Sequence, residues 1–266
     1  MPNPEQVTRY TIHPARDVRA PRMTVALVSD IHASNPSMSE TRLGRLVAQV
    51  NALGADLILL LGDYAGHVKL GRDLPPDVVL PRLQHLAAPL GVHAVFGNHD
   101  WRDDPAAQKA GTPTFWHRAF QAHGIPTYSN THSRIETDRG AFQLAGLESQ
   151  QAKGRQTKTG PMGYDDWPAL AANLDPDVFT LLMAHEPDIF PDLPDWVDLT
   201  VSGHTHGGQI APFGRALYVP SRHGTRYAYG HFQSGQKQLV VSAGLGYSGP
   251  PIRIGRPPEI VLLDIV

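Results

Sequence analysis

The chain has 266 residues, 41% apolar and 18% charged, which is long enough for a substantial core and too apolar for a disordered chain. A formal net charge of −2 lacks the basic excess of nucleic-acid binders. With 14 histidines and no cysteine, the chain excludes disulfides, thiolate zinc sites, cysteine-bound iron–sulfur clusters and a cysteine nucleophile, so a metal site must use imidazole, carboxylate and amide donors.

Residues 1–22 are polar and read as an N-terminal arm or edge strand, ahead of a single domain over 23–266. They hold no apolar core of a signal peptide, and the longest apolar run, 57–61, is far too short for a membrane span. The expected location is cytoplasmic, with peripheral membrane association as the alternative. Residues 24–29 form the first buried strand. Leu43, Leu46, Val47 and Val50 have helical spacing over 40–53, and Gly54 ends that helix. The run 57–61 is apolar throughout, as a strand buried on both faces requires. A helix over 78–88, a strand over 92–96 and a helix over 114–123 follow. The second half offers strands at 142–146, 178–183, 199–201, 227–232, 238–242 and 260–265. Residues 151–164 are the candidate mobile loop, and their basic run 153–158 reads as a solvated stretch or as a lid over an acidic substrate. The alternation implies an α/β fold, with two mixed β-sheets packed face to face and flanked by helices.

Five segments share one syntax, an apolar strand followed by polar donors. They are Ser29-Asp30-Ile31-His32, Gly62-Asp63-Tyr64, Gly97-Asn98-His99-Asp100, Ala184-His185-Glu186 and Gly203-His204-Thr205-His206-Gly207. Ligands of open α/β sheets bind beyond the carboxyl ends of strands, so five such ends can converge on one crevice. Asp30 and His32, two apart, leave the same face of an extended chain and can hold one ion; His204 and His206 repeat that spacing. Asp30, His32, Asp63, Asn98, His185, His204 and His206 are too many donors for one four-coordinate ion. They suit two ions about 3.5–4 Å apart bridged by a carboxylate, as used for phosphoester displacement. Asp63 is the natural bridge, able to offer one oxygen to each ion.

In this order the five blocks resemble the calcineurin-like metallophosphoesterases. The segments 203–209 (GHTHGGQ), 212–214 (PFG), 217–221 (LYVPS) and 244–253 (GLGYSGPPIR) resemble the bacterial YkuE/YaeI-type branch. The resemblance implies the four-layer metallophosphoesterase fold. It places Asp30, His32 and His206 on a first metal, Asn98, His185 and His204 on a second, and Asp63 between them. It implies a phosphodiesterase in which a metal-bridging hydroxide attacks phosphorus in line, on a phosphoester small molecule or a lipid head group. His99 would be the general acid or charge stabiliser on the leaving-group side, and Asp100 would orient and charge it. The cofactor is two divalent ions, manganese first, with iron, zinc or nickel as alternatives. A lipid pyrophosphatase acting on UDP-diacylglucosamine-type substrates is the second activity of the branch, and a non-catalytic metal-binding scaffold the third reading. The segment 146–150 (GLESQ) departs from the acidic Gly-Val-Asp-Asp pattern expected of the branch.

Other motifs are missing: there is no P-loop, no H-E-x-x-H and no G-x-S-x-G. Arg253, His223 and Tyr247 are candidate substrate contacts, with Arg222 and Arg226 as weaker phosphate-binding candidates. Tyr64 and Trp101 read equally as cleft lining or packing. His13, His67, His85, His117, His123, His132 and His231 read as surface or structural residues, and His93 as a sheet residue.

Overall fold

A computed structural model describes residues 4–138, 140–154 and 162–266. The first half of the chain forms β1 (Gln6–Ile12), β2 (Met23–Val28), β3 (Ser34–Asn35), α1 (Glu40–Ala52), β4 (Leu57–Leu60), β5 (Arg72–Asp73), α2 (Pro76–Leu83) and β6 (Val92–Ala94). Three short helices follow, α3 (Asn98–Arg102), α4 (Pro105–Ala110) and α5 (Phe115–Ala122). The second half holds β7 (Thr131–Thr137), β8 (Gly140–Leu147), α6 (Trp167–Ala171), β9 (Thr180–Ala184), β10 (Leu199–Ser202), β11 (Gly230–Ser234), β12 (Lys237–Val241) and β13 (Glu259–Ile265).

Two mixed sheets organise these elements. One runs β1-β13-β2-β4-β6 and the other β11-β12-β10-β9-β8-β7. Strands β2, β4 and β6 are mutually parallel, as are β8, β9, β10 and β12, while β13 runs antiparallel to β2. Parallel neighbours put their carboxyl ends on one edge, which sets the position of every loop discussed below.

Side-chain alternation explains why the short strands are apolar on both faces. Val25 and Leu27 of β2, with Leu57 and Leu59 of β4, point between the sheets and meet Phe142, Leu144, Leu181, Met183 and Val201. Their neighbours Ala26, Val28, Ile58 and Leu60 point outward onto Leu43, Leu46, Val50, Leu80, Trp116 and Phe120 of α1, α2 and α5. On the far side Ala145, Leu182 and Val241 pack under Leu170 of α6 and Phe190. The result is the expected four-layer order of helices, sheet, sheet and helices. Helix α1 starts where Ser39 accepts the Arg42 N–H and stops at Leu53, just before Gly54 turns left-handed at φ 62°.

Several boundaries differ from expectation. Helix α2 begins at Pro76 and is over by Gln84, because the chain tightens into three-residue turns at His85 and Leu86. The strand expected over 227–232 starts at Gly230; Tyr227 and Ala228 are buried in the preceding turn, where the Ala228 carbonyl accepts the Thr205 hydroxyl. Strand β7, absent from the sequence reading, is a mostly polar edge strand paired antiparallel with β8. Residues 6–12 form an edge strand parallel to β13. Of the candidate mobile loop, 155–161 lie outside the described residues. Its flanks are placed, with Lys153 Nζ 4.2 Å from the centre of the Tyr164 ring. Among the described residues no helix is long and apolar enough to cross a membrane.

Candidate metal centre

All five donor segments leave the carboxyl ends of parallel strands. Asp30 and His32 follow β2, Asp63 follows β4, Asn98 opens α3 just after β6, His185 follows β9, and His204 and His206 follow β10. Both sheets contribute, and the seam between them is tight. The His204 N–H donates to Asp30 Oδ1 at 3.0 Å, and His185 Nδ1 donates to Leu61 O at 2.6 Å. Two glycines make the approach sterically feasible. A Cβ at Gly97 would lie 2.2 Å from Asp63 Oδ1, and one at Gly203 would lie 2.4 Å from Asp30 Oδ2.

The donors assemble into two groups. Asp30, His32 and His206 offer atoms within 4.8 Å of one another, and so do Asp63, His185 and His204. All six side chains are buried. The carboxylate of Asp63 lies between the groups: its Oδ2 is 3.6 Å from His32 Nε2 and 3.3 Å from His185 Nε2. Its other oxygen, Oδ1, accepts the His99 N–H at 2.8 Å.

At two donor pairs the backbone departs from the extended geometry that their spacing predicts. Asp30 and His32 do not leave one face of an extended chain; both are left-handed, at φ 52° and 43°. His204 and His206 are also left-handed, at φ 69° and 52°, and fall in different groups, the division that the family resemblance implied. With Asp63 at φ 56°, five of the seven donors occupy a region that side chains rarely adopt, each at a cost of order 1 kcal/mol.

Hydrogen bonds at the far side of each ring assign the free nitrogen. His185 Nδ1 donates to Leu61 O at 2.6 Å and His32 Nδ1 to Ala65 O and Gly66 O at 2.9 and 2.8 Å, so both turn Nε2 toward the cluster, where His32 Nε2 lies 3.1 Å from His206 Nε2. In His204 the pattern reverses: Nε2 donates to Pro220 O at 3.0 Å and leaves Nδ1 free. Among the seven candidate donors three buried atoms have no hydrogen-bond partner, Asn98 Oδ1, His185 Nε2 and His204 Nδ1. Buried polar atoms are rarely left unpaired, and one amide oxygen with two imidazole nitrogens beside a carboxylate fits a divalent cation.

Charge follows burial. Burial opposes a proton on His185, but the Asp63 carboxylate outweighs it and raises the imidazole well above its usual range. His204 goes the other way, pushed down to about 3 by burial and by His185, and burial also holds His206 well down.

Asp100 does not reach His99. Its two oxygens accept four backbone N–H groups, from Asp63, Gly97, Tyr64 and Ala65, at 2.8–3.0 Å. It therefore fixes the loop that carries Asp63, a positioning role in place of the expected orientation of an imidazole. His99 is half-buried and lines the cleft; its Nδ1 is buried without a partner, and its ring meets those of His32 and His67 edge-on at 5.0 and 4.7 Å.

The cleft over the donors has a volume of about 400 Å³, and its walls include Asp63, Asn98, His99, Arg102, Gln151 and Leu217. None of the three candidate substrate contacts lies in that lining. Arg253 spends its guanidinium on Gly246 O, Ala243 O and His206 Nδ1, at 2.6, 2.9 and 3.1 Å. His223 faces Asp188 O and Arg222, and Tyr247 sits half-buried beside the Arg253 guanidinium. Tyr64 is core, and Trp101 is buried against Glu148, which also faces His117; His93 pairs with Tyr128. Sequence reasoning missed Arg102, Gln151 and His67. Arg102 sits only three residues past His99, a usable signal, whereas Gln151 reaches His204 Nε2 at 3.1 Å from a distant loop that carries none.

Donors of this kind, in two groups around one carboxylate at the joint edge of two stacked sheets, make a candidate centre for two divalent cations. The sequence profile of the calcineurin-like phosphoesterases matches residues 23–208, and the chain belongs to that family. It is 29% identical over 241 residues to the uncharacterized metallophosphoesterase YkuE of Bacillus subtilis, covering 89% of this chain and 77% of YkuE, which supports the YkuE-type branch. It is 31% identical to the putative metallophosphoesterase F40B5.2 of Caenorhabditis elegans, with 91% of this chain covering 48% of that longer protein. The NAD nucleotidase NadN of Haemophilus influenzae shares the fold at a TM-score of 0.54 and 12% identity, over 84% of this chain and 45% of NadN.

Proposed function

We propose that the chain is a phosphodiesterase working through two divalent ions, manganese first among them. Asp30, His32 and His206 would hold one ion, Asn98, His185 and His204 the other, and Asp63 would serve both. The observation that carries this reading is the trio of buried atoms without a hydrogen-bond partner, Asn98 Oδ1, His185 Nε2 and His204 Nδ1, on the loops gathered around Asp63. Left unpaired, Asn98 Oδ1 and His204 Nδ1 each cost about 1–3 kcal/mol, and His185 Nε2 has only the Asp63 charge beside it; bound ions would give all three a use. The ions supply charge neutralisation at the phosphoryl oxygens and a water acidic enough to attack at neutral pH.

The chain's own groups do the rest. The Asp63–His99 backbone hydrogen bond ties the His99 imidazole to the donor cluster. Burial holds that imidazole well below its usual range, so it meets a leaving oxygen as a neutral hydrogen-bond donor. Arg102 is the one Lys or Arg among the described lining residues, and Ile210, Leu217 and Pro220 add apolar wall. Few cations and an apolar side suit a singly charged diester with a second organic group better than a dianionic monoester.

The test is to strip ions with a chelator, restore Mn²⁺, and follow bis(p-nitrophenyl) phosphate and p-nitrophenyl phosphate. Turnover should vanish without metal and return with Mn²⁺, with the diester preferred. Full turnover in chelator would end the metal reading, and a monoester preference would end the diester reading.

A further inference from the structure

Three surface segments lie side by side at the mouth of the cleft. Residues 67–69 run beside Gly249, whose carbonyl accepts the Lys69 N–H at 2.8 Å. Gln209 Nε2 donates to Ser248 O and Pro250 O, and the Ile254 N–H donates to Gln209 O. The Ala211 N–H donates to Ile254 O, and the Arg256 guanidinium to Gly214 O. The face thus spans 67–72, 208–218 and 247–257, and Gly208, Gln209, Ile210, Leu217, Tyr218 and Ser248 also line the cleft.

This face concentrates the molecule's exposed apolar surface. Among the described residues seven large apolar side chains are exposed, and six of them are here: Leu70, Phe213, Leu217, Tyr218, Ile252 and Ile254. The seventh is the terminal Val266. Leu70 and Phe213 are fully exposed, at 101% and 103%, and both sit at left-handed positions, φ 64° and 54°. Bulky residues are genuine outliers in that conformation. Two strained turns that thrust a leucine and a phenylalanine into solvent point to a surface built to be covered.

Charge selects the cover. The same segments hold Lys69, Arg72, Arg215, Arg253 and Arg256 and no carboxylate, although the whole chain has a net charge of −2. Lys69, Arg72 and Arg215 are exposed. The carboxylates at the border of the face are the exposed Asp73, which closes on Gly66, and Asp103, 3.8 Å from His67 Nε2. Apolar tips within a cationic field match the interface of an anionic bilayer, where aliphatic and aromatic groups insert and basic groups meet head groups.

We propose that this face docks the protein on an anionic membrane surface, with the cleft opening onto the lipid head groups. Docking does not depend on the hydrolase reading, and its test needs no turnover. Sedimentation would compare vesicles of phosphatidylcholine alone with vesicles carrying about one part in three phosphatidylglycerol. The wild type should bind the anionic vesicles and release in high salt. The double variant Leu70→Asn, Phe213→Asn uses a residue that tolerates the left-handed region, so its thermal unfolding should be unchanged while vesicle binding falls at least roughly tenfold. Lys69→Gln should lower binding roughly fivefold on anionic vesicles and leave neutral ones unaffected. Absence of wild-type binding to anionic vesicles would overturn the proposal, as would equal binding by a folded double variant. A wild-type dimer that the double variant converts to monomer, with no vesicle binding by either, would also overturn it and mark the face as a contact between copies.

Discussion

The donor cluster and the rim beside it use the same unusual backbone to opposite ends. Asp30, His32, Asp63, His204 and His206 are left-handed and buried; Leu70 and Phe213 are left-handed and fully exposed. In the cluster the strain is locked from behind. Asp30 N–H donates to Gly62 O, His32 N–H to Asp63 O, and Asp100 collects four more amides from the same turns. The rim has strand-like hydrogen bonds along its edges, but its tips project with nothing packed over them. Backbone strain thus signals a site only together with what surrounds it: a satisfied shell facing unpaired donors marks a chemical centre, and an uncovered apolar tip marks a contact surface.

Substitutions can break the cluster's half of this contrast in order of size. Asp63→Asn removes the one charge facing both groups, so activity should fall about a thousandfold or more; steady-state kinetics at saturating Mn²⁺ would show it, and near-normal kcat would contradict the shared-carboxylate arrangement. His99→Ala should cost about a hundredfold in kcat on diesters with poor leaving groups and much less on bis(p-nitrophenyl) phosphate, whose leaving group needs no help. An equal loss on both would make His99 merely structural.

Asp100→Asn sharpens the comparison from behind. The amide replaces one accepting oxygen with a donor, leaving two of four backbone N–H groups facing it, so the protein should lose about 2–4 kcal/mol in thermal or denaturant unfolding. Burial and the Asp63 charge push the Asp100 carboxyl up to about 8, against the pull of those amides, so the loss is to be read above about pH 8, where the carboxylate is ionised. A stability change below about 0.5 kcal/mol would show that the turn holds itself.

The smallest effect is in pH. His185 is raised above its usual range by Asp63, so in the metal-free protein its proton stabilises the fold below about pH 6.5, and that contribution fades as pH rises through the higher folded value. His204 and His206 are held low by burial and are already neutral. Metal binding near neutral pH should therefore release about one proton, and affinity should rise about tenfold per pH unit until His185 is neutral on its own. Calorimetry in buffers of different ionisation heat reads this directly; no proton release would contradict the assignment of His185 as the charged partner of Asp63.

Much of this architecture was legible in the sequence because it is written in residue type. Apolar runs such as 57–61 must be buried on both faces, and acid, imidazole and amide donors at five strand ends announce a shared crevice. What escaped is long-range or local to the backbone. Strand β7 is polar and earns its place by pairing with β8, with no apolar alternation to reveal it. The left-handed donors defeat any argument from extended spacing, which is why His204 and His206 separate although they sit two apart. Asp100 looked like a partner for its neighbour His99, yet its acceptors face the turn at 63–65, some 36 residues away in sequence. Arg253 matched the chemistry of a phosphate contact, but only the fold shows its donors taken by carbonyls and His206.

The central claim is that Asp63 lies between two ions. The most direct measurement is anomalous diffraction from crystals soaked in Mn²⁺. The account predicts two peaks about 3.5–4 Å apart, one beside Asp30, His32 and His206, the other beside Asn98, His185 and His204, with Asp63 reaching both. A single peak at saturating Mn²⁺, or two peaks that Asp63 does not join, would contradict it.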